Sequence, residues 1–178
     1  CDRLWHNSGL SATITTSQTV NSAAFPARDD NESTNGEGVL VGMEVSTATG
    51  TGTPASLSLG YTNQGGTASR TGANIPAMAA SLPIGTFYPI GLQAGDTGVR
   101  SMQTFQINTT AWASGTIHLV AYRILESIEI SAVGVPESRN ILTGGLKRAW
   151  DATVPFVIFV PGATTTTQLF YDVSFAQK

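Results

Sequence analysis

Charge is scarce in this sequence. Asp, Glu, Lys and Arg make up 12 % of it, about half the usual share of a soluble protein. Nine basic residues stand against twelve acidic ones, a net charge of −3. That excludes the basic footprint of a nucleic-acid binder and the polybasic segment that holds an anionic membrane. Cysteine is nearly missing. Cys1 stands alone, so no internal disulfide can form, and stability must come from packing or from neighbouring subunits. Histidine is limited to His6 and His118. No G-x-S-x-G elbow accompanies them, and His118 sits mid-strand between Ile117 and Leu119, where a packed strand histidine is expected rather than a catalytic one. Long apolar runs are missing too. The longest, Val154 to Val160, is far short of the roughly 18 residues of a membrane span, and it reads as a buried strand. The chain opens on Cys1 with neither a Met nor a charged-then-apolar leader, so its true start is expected to lie upstream.

Small and hydroxyl-bearing residues take the place of charge. Thr, Ser, Ala and Gly supply 79 of the 178 residues. Such side chains suit strands, turns and closely packed surfaces, and they offer little for acid–base work. The hydrophobic fraction of 41 % is still ordinary for a globular chain, and the length suits one domain with a real core.

Strand-like patterning runs through most of the chain. Ser56 to Thr62 alternates strictly, with Leu57, Leu59 and Tyr61 on one face. Val99 to Ile107 alternates less cleanly. Gly115 to Leu125 is apolar on both faces, so both should be covered. Leu169 to Phe175 alternates again, with Leu169, Tyr171, Val173 and Phe175 expected inward. Val39 to Val45 and Ser127 to Val133 complete a set of seven or eight strands. Glycine- and proline-rich turns lie between them, at Thr49 to Pro54, Asn63 to Gly66 and Gln93 to Gly98. Short strands separated by turns indicate an all-β antiparallel sandwich or barrel. Phe156 and Ile158 join Leu57, Leu59, Tyr61, Phe105, Leu119, Leu169, Tyr171 and Val173 as expected core. Glu137 to Trp150 reads as a loop, broken at Gly144-Gly145.

Residues 1–37 stand apart as polar and Thr/Ser-rich, with isolated apolar residues. They read as an extended N-terminal arm on a β-domain of residues 38–178. Leu4, Trp5, Leu10 and Ile14 are its candidate assembly contacts, since sparse apolar anchors suit an interface better than a core. The arm is therefore expected to act in assembly and not in folding. The loop Arg28 to Gly36 is expected to be exposed.

Candidate chemistry is thin. Asp29, Asp30, Glu32 and Glu37 form the densest acidic cluster. Their spacing is not that of a calcium-binding EF-hand, and a solvated acidic loop is expected. The glycine runs lack the Lys and the strand-to-helix setting of a phosphate cradle. Trp5, Trp112 and Trp150 are too far apart in sequence to suggest a sugar platform and read as core or interface filler. No cofactor, no metal and no catalytic residue is expected, and the chain reads as a non-enzyme.

Three stretches carry a resemblance. They are Ser56-Leu57-Ser58-Leu59-Gly60-Tyr61-Thr62-Asn63-Gln64-Gly65-Gly66-Thr67-Ala68, Leu92-Gln93-Ala94-Gly95-Asp96-Thr97-Gly98-Val99-Arg100-Ser101 and Leu119-Val120-Ala121-Tyr122-Arg123. Together they resemble segments of virion structural proteins of tailed bacteriophages, over roughly the middle half of the chain. The motifs are turn-and-strand signatures without catalytic meaning. The resemblance implies a jelly-roll-like, capsid-associated or decoration protein, assembled into the virion in the host cytoplasm. Its expected partners are copies of itself, as a trimer, and the major capsid protein or another virion protein, with no nucleic acid and no membrane. A tail, baseplate or receptor-binding component is the alternative within virions. A carbohydrate-binding β-sandwich is the alternative from another class, and a glycan hydrolase ranks last.

Overall fold

The computed structural model describes all residues except 8, 76, 133, 141–146, 162–168 and 174–178. Nine strands form: β1 (Asp2–His6), β2 (Leu10–Ser11), β3 (Gln18–Thr19), β4 (Val39–Thr47), β5 (Leu57–Asn63), β6 (Arg70–Asn74), β7 (Phe87–Gly91), β8 (Val99–Ile107) and β9 (Thr116–Arg123). Among the described residues there is no helix. The expected all-β antiparallel class is what the chain adopts. The strands make one sheet in the order β1-β9-β4-β7-β6-β5-β8-β3, with β2 also on β9. All pairings are antiparallel. The sheet curls into a half-barrel, so that β4 touches β8 across the interior.

Period two fills that interior. Val39, Val41, Met43 and Val45 of β4 are fully buried, and so are Leu59 and Tyr61 of β5 and Ile117, Leu119 and Ala121 of β9. The irregular pattern of β8 has a mechanical cause. Its register against β5 slips twice, between Gly60 and Tyr61 and between Thr62 and Asn63. Each slip adds one residue to β8 and flips its facing. Phe105 and Ile107, then Met102, then Val99 all reach the core in spite of their uneven spacing.

The first 37 residues, read from the sequence as an extended arm, lie along the sheet of the same chain. β1 and β2 lie along β9, while β3 lies along β8, so both ends of the sheet are closed by the N-terminal segment. The crossing between them is pinned by the Gln18 side chain, which accepts from Ser11 N at Oε1 and donates from Nε2 to Ser11 O, each at 2.9 Å. Leu4, Leu10, Ala12 and Phe25 are buried in the common core. Sparse apolar residues suffice here because the sheet supplies the rest of the core.

The loop from Arg28 to Gly36 is exposed at Asp30, Asn31, Glu32, Thr34 and Asn35, as expected, but it closes around Asp29 and Gly36. Asp29 is 2 % exposed. The Gly36 backbone lies so close to Val99 O that a side chain would collide, at a φ of +87°. Only glycine fits there.

The C-terminal third departs furthest from expectation. Residues 127–132 and 169–173 form no strand, and Val154 to Val160 contributes one isolated bridge, Pro155 to Asp2. Phe156, Ile158 and Leu169 are only half-buried, and Tyr171 and Val173 are exposed. Residues 154–156 do meet the outer edge of β1, through the bonds of Cys1 and Arg3 to their backbone, but the pairing goes no further along the run. Val133, Phe175 and Gly144-Gly145 lie outside the described residues. Conversely, β7 escapes a sequence reading because Pro89 sits inside it. It is tolerated because β6 pairs only with Ile90 and Gly91, so the missing N–H of Pro89 costs no ladder bond.

Candidate interaction surface

The outer face of the sheet carries an aromatic cluster. Gly42 on β4 leaves a gap that the Phe87 ring fills, and any side chain at Gly42 would strike that ring. Phe87 meets Tyr122 of β9 edge-on, with centroids 5.4 Å apart. Phe156 packs on both, at 6.1 and 5.9 Å, and the Arg3 guanidinium lies 5.0 Å from its ring centre. The outward apolar residues of β9 are thereby covered, as the sequence requires.

Residues 1–3 clamp the backbone on either side of Phe156. Cys1 N donates to Phe156 O at 3.0 Å, Phe156 N donates to Cys1 O at 3.1 Å, and Arg3 N donates to Val154 O at 2.9 Å. Asp2 is fully buried. Its carboxylate accepts Arg28 Nε and Nη2 at 3.0 and 3.1 Å, and Val154 N at 3.0 Å.

Past Phe156 the fastening stops. No backbone hydrogen bond joins residues 157–160 or 169–173 to a described partner. Val157, Phe159 and Val160 are 46, 40 and 80 % exposed, and Phe170, Tyr171 and Val173 are 86, 66 and 55 % exposed. Between residues 157–161 and the start of β7 lies an open groove of about 550 Å³, with Phe87, Tyr88, Ile158 and Phe159 in its walls. Exposed apolar side chains in this number suit an interaction face.

Two carboxylates elsewhere are tied tightly into the structure. Asp29 accepts from Asn31 N, Ser33 N, Ser33 Oγ, Gly36 N and Glu37 N, all within 3.2 Å. Burial works to raise its pKa, but these donors outweigh it and hold the carboxyl below its usual range. Asp96 accepts Arg70 Nε and Nη2, Tyr61 Oη and Asn63 Nδ2, at 2.5–3.0 Å. Led by the Arg70 bond, they lower its pKa to about 2. The turn from Gln93 to Gly98 is thus fastened to β5 and β6 by its own aspartate. Asp30 pairs with Lys147 at 2.6 Å. Among the described residues, no cluster of three or more His, Cys, Asp or Glu could hold a metal.

His6 and His118 come together across β1 and β9, with ring centroids 5.4 Å apart. Among the described residues neither ring bonds to a hydroxyl or a carboxylate, and His6 Nδ1 lies 3.0 Å from Asn7 O. Burial, then the neighbouring His6, lowers the pKa of His118. Trp112 is a core residue whose Nε1 donates to Ala79 O at 2.9 Å. Trp150 lies under the Arg148 guanidinium at 3.9 Å, and Trp5 packs on Phe25 with centroids 6.2 Å apart.

The four candidate assembly residues are not brought together as a surface. Leu4 and Leu10 are inside this chain's own core, and Trp5 packs against that core. Ile14 is 40 % exposed. Besides Ile75, Ile84, Ile124, Ile128, Ile130 and Val135, seven exposed large apolar residues lie at 154–160 and 170–173. Their signal in the sequence was legible, two uncharged or nearly uncharged β-rich runs, but the same signal describes a buried strand. No protein-family model, no curated protein and no solved structure matches this chain.

Proposed function

We propose that this chain is a structural subunit of a tailed-phage virion that decorates or cements the capsid through contacts between subunits. Copies of itself and the major capsid protein are its partners in this reading, and it has no catalytic role. The observation that supports the assembly reading is the concentration of exposed large apolar side chains at 154–160 and 170–173. The three stretches that resemble virion proteins supply the phage assignment. Two of them contain the Tyr61–Asn63–Asp96 network, which is built for rigidity, a property that a particle subunit needs. Among the described residues no helix is long and apolar enough to cross a membrane.

The test is co-sedimentation of the purified chain with undecorated capsids, with isolated tails and with neither. Saturable binding to capsids at a fixed number of copies is expected. Binding to tails alone would transfer the protein to the tail reading. Binding to neither, together with retention on a glycan array, would replace the assembly reading with the carbohydrate-binding one.

A further inference from the structure

We propose that His6 of β1 and His118 of β9 bind a divalent transition-metal ion of the zinc class between their imidazole rings. The proposal is independent of the assembly reading above. The fold brings the two rings together. His6 lies opposite Val120 in the β1–β9 register, so it shares the outer face with His118, two residues away on β9. Asn7 fixes this junction, its N donating to Leu119 O at 3.3 Å and its Oδ1 accepting from Leu119 N at 2.6 Å. The ring centroids come to 5.4 Å. Zinc–nitrogen bonds of about 2.0–2.1 Å put each ring centre about 3.2 Å from the metal, and a tetrahedral angle then spaces the two centres about 5.2 Å apart. The observed spacing fits one ion shared by both rings.

The surroundings suit that role. His6 Nδ1 lies 3.0 Å from Asn7 O. As donor to that carbonyl it carries the ring proton, and Nε2 keeps a free lone pair. A bond of this kind is the usual support of a metal-ligating imidazole. Among the described residues the His118 ring makes no hydrogen bond, and its Nε2–Cδ2 edge faces Gly9, which has no side chain to cover it. Burial first and His6 second lower the pKa of His118, so its ring is neutral and able to ligate at pH 7.5. Glu44 faces His118 from β4 and Arg3 approaches from β1. These two pair with each other at 3.0 Å, so no uncompensated positive charge opposes a cation. Imidazole nitrogens select zinc, copper and nickel over magnesium and calcium. Water takes the remaining positions on the ion.

The test is isothermal titration calorimetry of the full chain with ZnCl2 at pH 7.5, and with MgCl2 as comparison. One zinc per chain is expected, and no magnesium. His6→Ala and His118→Ala should each weaken zinc binding at least about tenfold, while Cys1→Ser should leave it unchanged. Melting temperatures without metal will show that the variants fold. A second measurement needs no variant. In proton–nitrogen correlation spectra of the wild type, the ring signals of both histidines should shift in step with added zinc, with the metal on Nε2 of His6. The ion ties β1 to β9 in the folded chain only, so saturating zinc should raise the melting temperature of the wild type and not that of His118→Ala. No zinc binding up to about 1 mM, binding that survives either histidine variant, or binding lost in Cys1→Ser would each overturn the proposal.

Discussion

Residues 1–123 and residues 124–173 are built from similar material and behave differently. In the first region β-forming runs meet other β-forming runs, and Val41, Leu59, Phe105 and Leu119 disappear from solvent entirely. In the second, Val154 to Val160 and Leu169 to Val173 are at least as apolar, yet most of their large side chains stay exposed. The difference lies in the edges. Strand propensity expresses fit to a half-buried pleated surface, not a backbone preference that acts alone. Every strand of the first region has a neighbour in the sheet. Among its described residues the second region is held by the clamp at Cys1–Arg3, the Phe156 ring stack and scattered contacts such as Lys147 with Asp30 and Arg148 O with Arg123.

The contrast can be broken at several points. The largest effect should come from deleting residues 1–12. The deletion removes one whole end of the sheet together with Leu4, Leu10 and Ala12. Loss of the cooperative unfolding transition, followed by circular dichroism, is expected. Retention of it would restore the view of this segment as a dispensable arm.

Next comes the core itself. Leu59→Ala leaves a cavity at a fully buried position and should cost about 2–5 kcal/mol in urea unfolding. A smaller loss would mean that the half-barrel interior is loosely packed and differs less from the C-terminal third than the burial indicates.

A pH dependence is expected from the Asp96 network. The Asp96 carboxyl titrates near 2 in the fold, against an ordinary value of 3.8. A depressed folded pKa stabilises above the unfolded value and loses that contribution as pH falls toward the folded one. The wild type should therefore lose stability between about pH 4 and pH 2 more steeply than Asp96→Asn, as read from melting temperatures across that window. Parallel curves would show that the network does not act through charge.

The smallest effect belongs to the open region. Val160→Ser, at a site 80 % exposed, should change the stability of the isolated chain by no more than about 0.5 kcal/mol. A large loss would show that this region is packed after all.

What the sequence reading recovered follows the reach of its signals. Leu57, Leu59 and Tyr61 alternate without interruption, and β5 forms within one residue of that run. The bounds of β8 were legible as well, but which of its residues face inward was not. That depends on two bulges set by the partner strand. β6 and β7 were hidden by polar residues and by Pro89. Asp29 and Asp96 looked like loop carboxylates, because nothing local reveals that five donors converge on one and four on the other.

The sequence by itself determined the class of this protein. Low charge, period-two alternation and frequent turn residues leave no route to a helical fold, and they depend only on chemistry within a few residues. Tertiary structure alone decided which strands have neighbours. It placed Leu4 and Leu10 inside and left Tyr171 and Val173 outside, though all four are apolar residues in β-like settings. Burial depends on which edge is free when a strand arrives, and that is settled by contacts between residues far apart in the chain, such as Asp2 with Val154.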